Sequence, residues 1–173
     1  MVSGAGSMKI TSWAGILTVF VAAVAPARAT DNPSIERLAT CQDSWVEWKS
    51  SDPARLKKFA DSFLSDFSHR KDTDAFFVPK SSQTVVGLPV AQVFPESIGM
   101  AVGFSVMVNA NFDKTRTSLE KTIGKSLQKC DPPSDNMRTC GLEIGEKKTI
   151  LLMAEDNPKS TTTLFGCYYF YEK

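Results

Sequence analysis

The chain has 173 residues, with 20 Lys and Arg against 19 Asp and Glu, one histidine and four cysteines. A formal net charge of +1 gives no basic excess for holding nucleic acid, and a lone histidine leaves a histidine-built metal site short of ligands. The first thirty residues stand apart, because no acid precedes Asp31 and residues 13–25 are almost unbroken apolar sequence.

That arrangement has the order of a secretory signal. Met8-Lys9 supplies a charged start, the apolar run follows, and Ala27-Arg28-Ala29 offers the small-x-small site that signal peptidase reads. Translation begins at Met1 or at Met8, and cleavage is expected after Ala29. An apolar run of about 13 residues falls short of the roughly 20 that cross a bilayer. No cysteine follows the cleavage site to carry a lipid. The expected product, residues 30–173, is therefore exported and has no membrane anchor. Removing 29 of the 173 residues takes away Lys9 and Arg28, leaving 144 residues with 18 basic and 19 acidic side chains, which is the size of a single domain. Its four cysteines, even in number and bound for an oxidising compartment, imply two disulfides. Cys130 and Cys140 flank the turn-rich Asp131-Pro132-Pro133-Ser134-Asp135-Asn136, whose ends meet at low entropic cost, so they are expected to pair, leaving Cys41 for Cys167.

Ser34 reads as the cap of a first helix that carries Ile35, Leu38, Cys41, Trp45 and Trp48 on one stripe and ends near Lys49. Asp52-Pro53 then starts a second, with Leu56, Phe59, Ala60, Phe63, Leu64 and Phe67 at helical spacing. After the polar break 68–72 the texture turns to strands. These are 75–78, then 84–94 with Gly87 and Pro89 marking a bulge or an edge, then 98–110. In the last of them Ile98, Met100, Val102, Phe104, Val106 and Val108 form a bulky face. Gly99, Ala101, Gly103, Ser105 and Asn109 form a small one, suited to flooring a shallow groove or admitting a helix.

Asp113 is the expected cap of a third helix, with Phe112 as its hydrophobic staple and Leu119, Ile123 and Leu127 as its apolar stripe. Strands 139–144 and 149–154 follow around Gly145, and strand 162–171 ends the chain with both faces apolar or aromatic, as a central strand requires. The expected fold is α+β: an antiparallel sheet of about five to six strands, two N-terminal helices and one central helix on one face, stabilised by disulfides. In element order it is similar to the secretion-chaperone-like arrangement of a helix, three strands, a helix and further strands. Such a likeness carries no function.

Chemistry has little foothold. His69 lies in a charged break without a nucleophile elbow, and the Ser-x-x-Lys matches at Ser118–Lys121 and Ser126–Lys129 lack their companion motifs. Glu96, Glu143 and Glu155 fall at turns and strand ends, where carboxyls stay solvated. No cofactor or calcium motif is present. The remaining signal is aromatic: Trp45 and Trp48 on the first helix and Tyr168, Tyr169 and Tyr171 at the C-terminus, residues used both in cores and at recognition surfaces. The reading that results is a non-enzymatic envelope module that binds another protein, a peptide or a small ligand. A small periplasmic hydrolase with a scattered site is the alternative. Intact-mass measurement of the exported protein should show residues 1–29 removed; a membrane-bound form retaining residues 13–25 contradicts the export reading.

Overall fold

The computed structural model describes residues 34–45, 52–70, 73–95 and 101–170. The signal segment, Trp48, Glu96, residues 98–100 and Tyr171 lie outside them. Helix α1 spans Ile35–Ala39, α2 Pro53–Asp66 and α3 Phe112–Ile123. The strands are β1 Phe67–Arg70, β2 Thr73–Pro79, β3 Thr84–Val85, β4 Leu88–Phe94, β5 Ala101–Val108, β6 Lys129–Ser134, β7 Met137–Glu143, β8 Lys148–Glu155 and β9 Thr163–Phe170. They form one antiparallel nine-stranded sheet in the order β1-β2-β4-β5-β9-β8-β7-β6, with β3 paired to β4.

The sheet holds nine strands, not five to six, for three reasons. The break at 68–70 is strand β1, drawn into register by β2, with Ser68 opposite Val78 and His69 opposite Phe77. The expected strand 84–94 is split into β3 and β4 by a turn at Val86-Gly87, both at positive φ, and β4 also bulges between Val90 and Gln92. The connector between Cys130 and Cys140 is a hairpin, turned at Asp135-Asn136, in which the two cysteines face each other directly. Five strands, and not three, therefore separate α2 from α3, and the secretion-chaperone-like order does not hold.

Each half of the sheet is a helix followed by an antiparallel meander, α2-β1-β2-β4-β5 and then α3-β6-β7-β8-β9. The last strand of each half meets the other along eight residue pairs, from Ala101 opposite Phe170 to Val108 opposite Thr163. Two glycines allow that approach. A Cβ on Gly103 would overlap the Cys167 carbonyl oxygen, and one on Gly166 would overlap Ser105 and the Phe104 carbonyl.

All three described helices pack on the face that carries Phe104, Val106, Val108, Phe165, Cys167, Ile150 and Leu152. Asp52 caps α2 through the Ala54 amide, with Pro53 at its first position, and Phe59 and Phe63 are buried. Phe63 stacks on Phe67 and meets Phe77 edge-on. The third helix begins two residues earlier than expected: Asn111 caps it through the Lys114 amide, and Phe112 and Asp113 belong to its first turn. In its last turn Glu120 accepts from Arg116 and from the amide of Leu127 beyond the helix end, which fixes the exit of the chain.

The first helix is short. It stops at Thr40, whose hydroxyl bonds back to the Glu36 carbonyl, and Cys41 turns left-handed at φ 58°; residues 46–49 of the expected helix lie outside the described ones. Five helical residues do not hold themselves in water. Here Leu38 and Ala39 are fully buried over β5 and β9, and Cys41 is bonded to Cys167. Glu36 also accepts from the Val86 amide in the β3–β4 turn, and the second disulfide joins Cys130 to Cys140.

Glycine substitutions in the sheet, Gly166 on the β5·β9 pairing and Gly141 on β7, should separate by what the new methyl meets. Gly166→Ala is expected to cost about 2–3 kcal/mol, since rigid backbone must move. Gly141→Ala, whose methyl would meet the end of the Leu151 side chain at 3.3 Å and otherwise only ordinary contacts at 3.6 Å and beyond, should cost under about 1 kcal/mol. Urea midpoints of the two variants check this, and equal midpoints would contradict the close-approach argument.

Candidate functional site: the second face of the sheet

The aromatic residues singled out by sequence are divided between the two faces. Trp45, 5% exposed, sits in the helix-covered core with its ring 5.6 Å from Phe59 and 5.5 Å from Phe104. Tyr169, 8% exposed, lies on the same face beneath Lys148. Both are core residues. Tyr168 points to the opposite face, since strand alternation sends neighbours to opposite sides. Trp48 and Tyr171 fall outside the described residues, so the five do not form one surface.

No described helix lies on the face that holds Tyr168. From β4 to β8 it carries Phe94, Met107, Leu164, Leu151 and Met153, with Phe76 against Phe94 at 4.7 Å between ring centroids. Gly103, Ser105 and Gly166 sit among these larger side chains, and the Tyr168 ring packs against Gly103. Most of the bulky side chains are partly exposed, and Phe170 is 46% exposed. Between β4 and β8 the described side chains of this face are uncharged until Glu155 at the end of β8. An exposed Lys129–Glu143 ion pair marks the β6–β7 rim. An apolar middle with a charged rim is the anatomy of an interface.

At the centre lie two hydroxyls. Tyr168 and Ser105 are each 1% exposed, and neither hydroxyl has a hydrogen-bond partner. Both are closed off from solvent within the fold, and a buried polar group left unpaired costs free energy. Burial pushes the Tyr168 phenol above its usual 10.0, and Ser105 is near enough to temper that rise without closing a hydrogen bond. Sequence reasoning singled out Tyr168 and the small face of β5 but missed Ser105 as a donor. It also missed Phe76, Phe94, Met107, Leu151, Met153 and Leu164 as walls. The alternation Leu164, Gly166, Tyr168, Phe170, opposite a strand of small residues, was the signal that could have found them.

The residues considered for catalysis do not converge. His69 is exposed on β1 with its ring 4.3 Å from Phe77, and Ser118 and Ser126 are separated by the end of α3. Lys129 is paired with Glu143. A polar depression of about 300 Å³ opens where Asn111 and Asp113 at the start of α3 meet Asp156, Asn157 and Ser160. Its cation, Arg138, is engaged by Asp113 at 3.1 Å and by the ring of Phe112, and the carboxylates of Asp113, Glu155 and Asp156 are exposed. Such carboxylates lack the burial that makes one a general acid. Among the described residues no three metal-ligating side chains stand close enough to hold an ion.

The folded state keeps Tyr168 protonated at a pH where the unfolded chain ionises. Its contribution is therefore intact below about pH 10 and lost as pH rises further. Urea midpoints should fall between about pH 9 and about pH 11, and Tyr168→Phe should fall less. Equal slopes for both proteins would contradict the burial of this hydroxyl. Comparison with known proteins adds no relative, since no protein-family model, curated protein or solved structure matches the chain.

Proposed function

We propose that residues 30–173 act outside the cytoplasm, in the periplasm or as a secreted protein, as a non-enzymatic binding module whose recognition surface is the second face of the sheet. The observation that carries this reading is the uncharged apolar area around Tyr168 and Ser105, on a face that no described helix covers. Around that buried centre Phe76, Met107, Leu151, Met153 and Leu164 are partly exposed and Phe170 is 46% exposed, and adjoining exposed apolar side chains mark interaction surfaces. Two disulfides and the expected signal at 1–29 agree with an oxidising compartment. The area suits a protein, a peptide or an apolar ligand, and nothing in its charge suits nucleic acid.

Capture experiments with the exported protein immobilised test the surface. Wild type and His69→Ala should retain the same binding partner, whether a different molecule or another copy of the protein. Leu164→Lys, which places a charge in the middle of the face, should lose at least about tenfold in retention while keeping its circular dichroism. Retention unchanged by Leu164→Lys but abolished by His69→Ala would move the function away from this face.

A further inference from the structure

We propose that the Cys130–Cys140 disulfide is a thiol-exchange site, at which an external dithiol opens the bond, unlocks the edge strand β6 and leaves the rest of the fold standing.

The two disulfides differ in what surrounds them. Cys167 is fully buried in the middle of β9 beneath α1, and Cys41 is half-buried against the same core. Their bond holds a five-residue helix that has no stability of its own, so opening it there costs part of the core. Cys130 is exposed on β6, between the exposed Lys129 and Asp131, while Cys140 directly opposite on β7 is buried. Exposed disulfides are the ones that exchange, because an attacking thiolate has to reach a sulfur. Here it reaches Cys130.

The strand that this bond secures has little else to hold it. Pro132 and Pro133 have no amide hydrogen, the register with β7 shifts between Asp131 and Ser134, and β6 has no strand on its outer side. The Lys129–Glu143 pair is exposed at both ends and adds little. Closing a sequence separation of 10 favours the docked hairpin about a hundredfold over the same hairpin with two thiols. Strand β7 keeps its own pairing with β8, from Met137 opposite Glu155 to Glu143 opposite Thr149, so the sheet still ends on a paired strand when β6 lets go. Cys140 stands opposite Leu152 on the helix-covered side, which puts the exchange away from the face proposed for binding.

One thiolate of the dithiol attacks the Cys130 sulfur, the bond to Cys140 breaks, and its electron pair leaves on the Cys140 sulfur, which takes up a proton. The second thiolate then attacks the reagent's own sulfur in the mixed disulfide and displaces Cys130, which is protonated in turn. The dithiol ends as a disulfide, and its two electrons and two protons end on the two cysteines.

Timed exposure of the exported protein to dithiothreitol, quenched with N-ethylmaleimide and mapped by peptide mass, tests the proposal. Cys130 and Cys140 should be labelled at least about tenfold sooner than Cys41 and Cys167, with circular dichroism retained while only the first pair is open. With glutathione, which has a single thiol, the first adduct should carry glutathione on Cys130 and maleimide on Cys140. In amide exchange the pair-opened protein, and likewise the Cys130→Ser/Cys140→Ser variant, should lose about a hundredfold of the protection of β7 amides that face β6, and keep that of β5 and β9. Both disulfides opening together, or structure lost with the first pair or in the double variant, makes this bond a structural staple and overturns the proposal. Glutathione found on Cys140, or β7 protection unchanged by opening, overturns it as well.

Discussion

Everything in this molecule is organised by the antiparallel pairing of β5 with β9. These strands end the two meanders, so the pairing joins β1–β5 and β6–β9 into one sheet, and it is also the line over which α1 packs. It depends on Gly103 and Gly166, where a side chain would occupy space already held by the neighbouring strand. On one side of that line Phe104, Val106, Phe165 and Cys167 meet the helices. On the other, the absence of bulk at Gly103 admits the Tyr168 ring, and Ser105 and Tyr168 are buried beneath the larger side chains of that face. A single backbone constraint thus produces both the core and the surface proposed for recognition.

The covalent links reinforce the same line. Cys41–Cys167 bridges a sequence separation of 126 residues and anchors α1 to the middle of β9, a cross-link whose effect on the unfolded chain is large because the loop is long. Cys130–Cys140 closes a separation of only 10 and secures a hairpin at the far edge. Glu36 adds a polar tie from α1 to the Val86 amide, so the short helix is held at its end by sulfur and near its start by a carboxylate.

Much of this was legible in the residues, and the misses have physical causes. The Asp52-Pro53 start of α2, the cysteine pairing and the two-faced character of the last strand follow from local chemistry. Strands β1 and β6 did not announce themselves, since Ser68, His69, Pro132 and Pro133 have little strand propensity and are ordered by their partner strands. The early end of α1 is a tertiary override: the periodicity through Cys41 and Trp45 is helical, yet the bond to Cys167 holds Cys41 left-handed. For the candidate site, tyrosine and tryptophan serve cores and surfaces equally, so composition could not separate Tyr168 from Tyr169. Only the register of β9 against β5 does so.

The central claim is that the β5·β9 pairing is the most stable part of the sheet and the rest is built outward from it. Native-state amide hydrogen exchange measures this residue by residue. The account predicts that the hydrogen-bonded amides of Ala101–Val108 and Thr163–Phe170 exchange last, by global unfolding, and that those of the edge strands β1 and β6 exchange through smaller openings. Amides of β5 and β9 that exchange as fast as those of β1 or β6 would contradict it.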